Sequence, residues 1–482
     1  MAKGDAQTGA AAAQESSARW ALGALALTML LPSLGISISG VALPAVSRAF
    51  DASFREVQWI VIIYLIATTV TIVGAGRLGD VAGRRRMLSA GLTLFTLGSV
   101  LCGIAPTLWM VIAARAVQGL AAAVLMALTV ALVHEVAAKE RTGRAMGLLG
   151  SMSALGTALG PSLAGALLDG PGWRAVFLVM VPLGILNLFL VRRCLPPPVP
   201  AALPTNTAGG ERFDGTGTLL LGLTLTAYAL AVTAGRSFGA VNAILLVAAV
   251  SGAGLFALVQ ARAESPLIPP SVWRDGSLRI GLVTNAVVAS VMMATLVVGP
   301  FYLSLALGLS ESGVGIAMSV GPVVSVLSGA PAGRMVDRRG VRAVVIAGLV
   351  ILAAGAFGLA VLPERFGLAG YIAAIVVLTP GYQLFLAGNT TAVMRNVPAD
   401  RRGLVSGVLN LSRQIGLITG ASAMGALFAV ASGAGDGATA APEAVGTGIR
   451  AVFATAGVLI AAATVAVLRA GAGRPALPDG NR

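Results

Sequence analysis

Long, uninterrupted apolar stretches, separated by short breaks rich in charge, Pro or Gly, occupy the chain from residue 20 to residue 469. Each is close to the ~20 residues a helix needs to cross a bilayer. Cutting at the breaks predicts fourteen helices, at about 20–46, 57–76, 88–105, 109–133, 145–168, 174–192, 215–235, 240–260, 279–305, 312–333, 343–362, 368–393, 404–430 and 450–469. A spanning β-barrel would instead show alternating strands of ~10 residues. Helices satisfy their own backbone hydrogen bonds in hydrocarbon, so the chain reads as an all-α integral membrane protein. The first run is not read as a cleaved leader, because its apolar character continues past Pro32 to Val46, beyond the length of a signal-peptide core.

Composition agrees: of 482 residues 57% are hydrophobic and 11% charged, with mean hydropathy +0.89. A soluble enzyme needs roughly 25% charged residues to coat its surface, so that class is excluded. The charge is lopsided, 33 basic against 19 acidic residues and +14 net. A nucleic-acid partner is not expected, because the basic residues sit in breaks between apolar runs and form no polar, aromatic-bearing face. They orient the spans instead. One side collects Lys3, Arg19, Arg84, Arg85, Arg86, Arg144, Arg192, Arg193, Arg338, Arg339, Arg402 and Arg469, among others; the opposite side has Arg48, Arg55, Arg174, Arg236, Arg365 and Arg450. Both termini are therefore expected in the cytoplasm, in agreement with an even number of spans. Cys102 and Cys194 have no metal-ligand company, and the single histidine, His134, stands at a helix end. With no close carboxylate pair either, neither a metal site nor enzymatic acid–base chemistry is expected.

The chain repeats itself. The stretch from Gly76 to Gly83 recurs from Gly333 to Gly340 at an offset of 257 residues. A second stretch recurs at an offset of 260: Arg141, Gly143, Gly147, Leu149, Gly156 and Gly160 match Arg401, Gly403, Gly407, Leu409, Gly416 and Gly420. Two similar six-helix halves, separated by two extra helices central in the sequence, suit a transporter that rocks two bundles about a central site. The expected organisation is an N-terminal tail (1–19), an N-terminal six-helix bundle (20–194), a Pro-rich linker (195–214), two extra helices (215–260), a second linker (261–278), a C-terminal six-helix bundle (279–469) and a tail (470–482).

The motifs carry a family resemblance. GRLGDVAGRRR at 76–86, with its partial copy at 333–342, resembles the loop signature between spans two and three of the major facilitator superfamily. ARAVQG at 114–119 is similar to its span-four signature; Gly147, Gly156, Gly160, Pro161 and Gly165 resemble its span-five antiporter signature, with Ala164 replacing one Gly. With fourteen spans, the chain looks like the drug:proton antiporter branch. Where that branch carries Asp and Asn in span one, Gly35 and Gly40 stand ahead of Ala42-Leu43-Pro44.

The resemblance implies a gate formed by Gly76, Asp80, Gly83 and Arg84 and by Gly333, Asp337 and Gly340, and a coupling role for Arg115. Arg115 lies ~9 Å inside span four, and Arg413 is ~15 Å into span thirteen at 1.5 Å per residue. A membrane Arg costs ~2.5–3.5 kcal/mol on insertion scales, so each is expected to face a partner or a cavity. Gln118 and Gln414 accompany them as candidates for coupling or substrate contact. Tyr64, Asn285, Tyr382, Gln383, Asn389 and Asn410 are candidate cavity-lining groups, with interhelical hydrogen bonding as the alternative. The stripe Gly156, Gly160, Ala164 allows close helix approach, and Pro161 frees the residue 157 carbonyl. No Asp or Glu is expected inside a span.

The expected function is secondary active efflux of drugs or small amphipathic metabolites across a bacterial inner membrane by alternating access. The proton gradient would be its energy source, it would need no cofactor, and a monomer would suffice. Export of an anionic metabolite, favoured by the two membrane arginines and the absent acid, is the alternative. A sensor or scaffold would call for an appended soluble domain, for which about 19 residues before the first run and 13 after the last leave no room.

Overall fold

The computed structural model describes residues 2–136, 142–195, 214–234, 239–263, 276–395, 397, 402–433 and 441–472, and among these there is no strand. The N-terminal half comprises α1 (Ala2–Phe50), α2 (Trp59–Ala82, led in by a single turn at Phe54–Val57), α3 (Arg84–Ile104), α4 (Leu108–Val136), α5 (Thr142–Asp169) and α6 (Trp173–Leu178 continuing as Met180–Cys194). Next come α7 (Gly215–Thr233) and α8 (Ala240–Arg262). The C-terminal half has α9 (Gly276–Phe301, ending in a π-helical turn at Tyr302–Ala306) and α10 (Glu311–Arg339). Its α11 and α12 are the two arms of Val341–Met394, and α13 runs from Arg402–Thr419 through a π-helical turn (Gly420–Met424) into Gly425–Ala431. The last helix, α14, is Pro442–Ala472.

Among the described residues thirteen helices are long and apolar enough to cross a membrane. The longest is two crossings, because Gly367 (φ 53°, ψ −129°) breaks Val341–Met394 in the polar gap that separates the predicted runs. A left-handed φ is cheap only for Gly, so the reversal needs no longer loop. Fourteen crossings result. α1 begins well before residue 20, since its Ala-rich start favours helix. The linkers expected at 195–214 and 261–278, and the tail at 470–482, lie almost entirely outside the described residues.

The halves are built alike. In the first, α1 packs on α5, α2 on α4 and α3 on α6; in the second, α9 packs on α13, α10 on α12 and α11 on α14. The halves meet along α5 and α10, α1 and α9, and α2 and α13. The two extra helices are central in sequence but peripheral in space: α7 lies against α2 and α13, while α8 packs on α7 with only 11% of its apolar window buried. Asp214 clasps this hairpin, accepting from the Gly217 amide at 2.7 Å and from Gln260 Nε2 at 2.5 Å. The first contact also caps the N-terminus of α7.

Candidate functional site

The span-five signature divides between two jobs. Gly156 and Gly160 face α1: a Cβ on Gly156 would lie 2.6 Å from the Leu30 carbonyl oxygen, and one on Gly160 would lie 2.9 Å from the Ile38 nitrogen. Pro161 cannot donate to the Thr157 carbonyl, and the Ser37 hydroxyl of α1 donates to that oxygen instead at 2.8 Å. Ser33 and Ser153 add a hydroxyl pair at 2.6 Å. The repeat reproduces the close approach, with Gly416 against the Ala286 carbonyl and Gly420 against that of Ser290. Where α5 has Pro161, α13 has its π-helical turn, so both helices depart from regular geometry at the same level. These are seams within each half.

Gly165 faces the other half. A Cβ there would meet the Glu311 carbonyl oxygen at 2.9 Å and the Gly315 Cα at 3.0 Å, and Ser162 bonds Ser319 at 2.6 Å. Its counterpart Gly425 on α13 packs on Gln58 and Phe54, which lead into α2. Thus each half sets the far end of one helix on the head of a helix in the other. Arg48 adds an ion pair to Glu311, and the Ser312 amide donates to Asp169 Oδ2 at 3.1 Å. Phe54 of the first half packs between Phe301 and Phe428 of the second, at ring distances of 4.7 and 4.9 Å. All three rings are buried, so the Arg-poor end is sealed by an apolar plug with an ionic latch beside it. Gly40, where the resembled branch has a polar residue, lets α1 cross α9: its Cβ would fall 2.8 Å from Leu296 Cγ.

Toward the Arg-rich end the same helices part. Three and five turns beyond the contact, Val326 and Gly333 lie on the face of α10 that carries Gly315, and both are exposed. On α5, Ala154, Ser151 and Gly147 continue the face of Pro161 and Gly165 and are exposed too. A Cβ on Gly147 or Gly333 would meet nothing within 4 Å. The molecule is closed at one end and open at the other.

At the open end stand the repeated loop signatures. Gly83 and Gly340 both turn the chain with left-handed φ, 88° and 81°, which fixes Gly at these two positions. Arg84 pairs with Glu135 at 2.6 Å, and Asp337 is exposed. Gly76 and Asp80 belong to the last turns of α2, but the side chain of Asp80 lies outside the described residues.

The two membrane arginines part company. Arg115 is fully buried inside the N-terminal half. Its Nε donates to the Ile60 carbonyl at 3.0 Å, its Nη1 to Gln118 Oε1 at 2.8 Å, and its guanidinium lies 4.2 Å from the centre of the Tyr64 ring. Gln118 Nε2 donates in turn to Ser99 at 2.7 Å, while the Tyr64 hydroxyl donates to the Pro32 carbonyl at 3.1 Å. Hydrogen bonds from a charged group contribute ~1.5–3 kcal/mol each and a desolvated cation–π contact ~2 kcal/mol. Together they exceed the ~2.5–3.5 kcal/mol insertion cost. Arg115 thus has partners, all of them neutral, and its Nη2 has none.

Arg413 is exposed in mid-span. At the 260-residue offset it takes the place of Ser153 on the α9–α13 seam, beside exposed Asn410 and half-buried Gln414. Several candidate cavity groups make interhelical bonds: Asn285 Nδ2 donates to the Leu409 carbonyl at 3.1 Å, Asn389 Nδ2 to the Gly281 carbonyl at 3.2 Å, and Gln383 Nε2 to Ser325. With Tyr64 held beneath Arg115, the candidates that make no interhelical bond among the described residues are Tyr382, half-buried, Asn410, Arg413 and Gln414. The sequence reading missed the latch of Arg48, Glu311 and Asp169 and the Phe54 plug. One signal was available, since Arg48 and Glu311 are charges flanking spans on the same side.

The sequence model of the Major Facilitator Superfamily matches residues 25–261 and 280–481. The multidrug resistance protein Stp of Mycobacterium tuberculosis is 31% identical over 415 residues, covering 84% of this chain and 76% of Stp. The tetracenomycin C resistance and export protein of Streptomyces glaucescens is 28% identical over 416 residues, covering 84% of this chain and 75% of that protein. Among solved structures, a bacterial homolog of the human lysosomal transporter Spinster, inward-facing and occupied, superposes with a TM-score of 0.67 at 15% identity, over 94% of this chain and 96% of that one. The chain belongs to the Major Facilitator Superfamily, and it is a multi-pass membrane transporter with multidrug-efflux relatives.

Proposed function

We propose that this superfamily member exports drugs or small amphipathic metabolites from the cytoplasm by alternating access, driven by inward proton flow. The observation that carries the reading is the divergence of α5 from α10, in contact at Gly165–Gly315 and open at Gly147 and Gly333. With the Arg-rich end and both termini in the cytoplasm, as the basic bias favours, this is the cytoplasm-open state that accepts cargo. In the opposite state the small residues Gly147, Ser151 and Ala154 close on Ala330 and Gly333, while the Arg48–Glu311 latch and the Phe54 plug open. The α1–α5 and α9–α13 seams hold throughout, so 20–194 and 279–469 move as rigid bodies in a single chain, with 215–260 carried at the rim. Gly83 and Gly340 pivot the loops that bring Asp80 and Asp337 into the cytoplasmic gate. The names of the relatives support cargo of the antibiotic class.

No carboxylate accompanies Arg115, so the coupling proton needs another carrier. Glu311 fits: Arg48 holds Oε1, Oε2 is buried without a partner, and Asp169 stands on the neighbouring amide of Ser312. Protonation of Glu311 removes the latch charge and favours opening to the outside. Arg413, exposed in mid-span, favours cargo with an acidic group. In proteoliposomes, efflux substrate should move only with an imposed pH gradient, Arg115→Ala should abolish the movement, and Arg413→Glu should select against anionic cargo. Movement indifferent to the gradient sinks the antiport reading.

A further inference from the structure

Outside the transport cleft, at the Arg-rich end of the N-terminal half, a groove of about 600 Å³ is lined by Arg85, Arg86, Arg192, Ser89, Thr93, Leu94 and Leu97. It runs down α3 from charge to hydrocarbon. The twelve steps from Arg85 to Leu97 cover ~18 Å at 1.5 Å per residue, about one leaflet of a ~30 Å apolar core. Leu97 is 54% exposed, and below it Leu101 and Ile104 continue an apolar, outward face. A ligand that fits has an anionic head and an apolar chain.

The repeat separates architecture from recognition. Arg85 donates to the Arg192 carbonyl at the end of α6, and its counterpart Arg342 donates to the Leu468 carbonyl near the end of α14. That shared bond satisfies a carbonyl at a helix end, a structural task. The rest of the groove is not shared. At the 257-residue offset Arg86 becomes Ala343, Ser89 becomes Ile346 and Thr93 becomes Val350, while Leu468 takes the place of Arg192. The N-terminal groove therefore holds two exposed arginines that the fold does not require, and two hydroxyls that donate within α3, Ser89 to the Arg85 carbonyl and Thr93 to the Ser89 carbonyl, each at 2.9 Å, and keep their lone pairs toward the groove. Among the described residues neither Arg86 nor Arg192 forms an ion pair.

We propose that this groove binds an anionic phospholipid of the surrounding leaflet, its phosphate held by Arg86 and Arg192 beside the hydroxyls of Ser89 and Thr93, and an acyl chain lying along Leu94 and Leu97. Basic pockets between helices at headgroup level bind such lipids. Native mass spectrometry of the purified protein, titrated with phosphatidylglycerol or phosphatidylcholine, tests it. Wild type should retain phosphatidylglycerol over phosphatidylcholine. Each arginine near the headgroups is worth about fivefold in affinity, so Arg86→Gln with Arg192→Gln should lower phosphatidylglycerol retention about 25-fold and leave phosphatidylcholine unchanged. Leu97→Trp, which keeps every arginine but fills the chain-binding part, should lower it too. Arg338→Gln with Arg339→Gln, at the same end of the other half, should change nothing. Undiminished phosphatidylglycerol retention in the double variant overturns the proposal, as does its displacement by inorganic phosphate, which would mark a site for a soluble anion.

Discussion

The third of α5 nearest the Arg-poor end and the remainder of the same helix have similar composition and opposite surroundings. From Pro161 to Asp169 the helix touches α10 so closely that Gly315 has the Pro161 carbonyl oxygen 2.5 Å from where its Cβ would be. From Gly147 to Ala154 the same face is open. The opposite face, Gly156 and Gly160 against α1, is packed as tightly as the contact with α10. Small residues therefore serve two purposes in one helix. On one face they make a permanent seam inside a half, and on the other a contact that forms at one end at a time.

This contrast can be broken at three places. The largest effect is expected at the permanent seam. Gly156→Val drives a branched side chain into the backbone of α1, and overpacking of this kind costs ~1–3 kcal/mol or more. Thermal unfolding of the purified protein should show a clear loss of stability; an unchanged midpoint would mean that the α1–α5 seam is not fixed. The intermediate effect belongs to the latch. Its side chains are 43% and 20% exposed, so the Arg48–Glu311 pair is worth ~1 kcal/mol at most. Glu311→Gln should raise labelling of a cysteine at Ser162 by an impermeant thiol reagent added outside, by about fivefold. The direction is the same on acidification, because a neutral Glu311 no longer attracts Arg48. Loss of labelling would assign the pair some role other than closing the Arg-poor end. The smallest effect is expected at the open face: Gly147→Ala meets no neighbour, so only helix propensity changes, in the stabilising direction and by ~0.5–1 kcal/mol. If it slows efflux in proteoliposomes with no loss of stability, the face closes during the cycle; an unchanged rate would leave that closure without a role for residue 147.

Much of the architecture was legible because lipid imposes a simple rule on a sequence. Each crossing needs its ~20 apolar residues, and the runs 343–362 and 368–393 predicted the two crossings into which Gly367 divides Val341–Met394. The repeat was legible for a similar reason: Gly is required where φ is positive or where backbones touch, so Gly83 and Gly340, and Gly156 and Gly416, stay in register. Side-chain roles were less so. Asn285, Asn389 and Tyr64 read equally as cavity-lining groups or as interhelical hydrogen-bonding groups, and each bonds a carbonyl of another helix. A polar residue in an apolar run needs a partner, but the run alone does not say whether that partner is cargo or backbone.

The sequence by itself determined the number of crossings, their basic bias, the duplication and the family, because each depends on spacing along one chain. Tertiary structure alone decided that Arg115 is enclosed and Arg413 exposed, that Glu311 meets Arg48 across the two halves, and that Arg86 and Arg192 line one groove between α3 and α6. These depend on which faces of separate helices are brought together, and a helix that is apolar all round does not announce its neighbours.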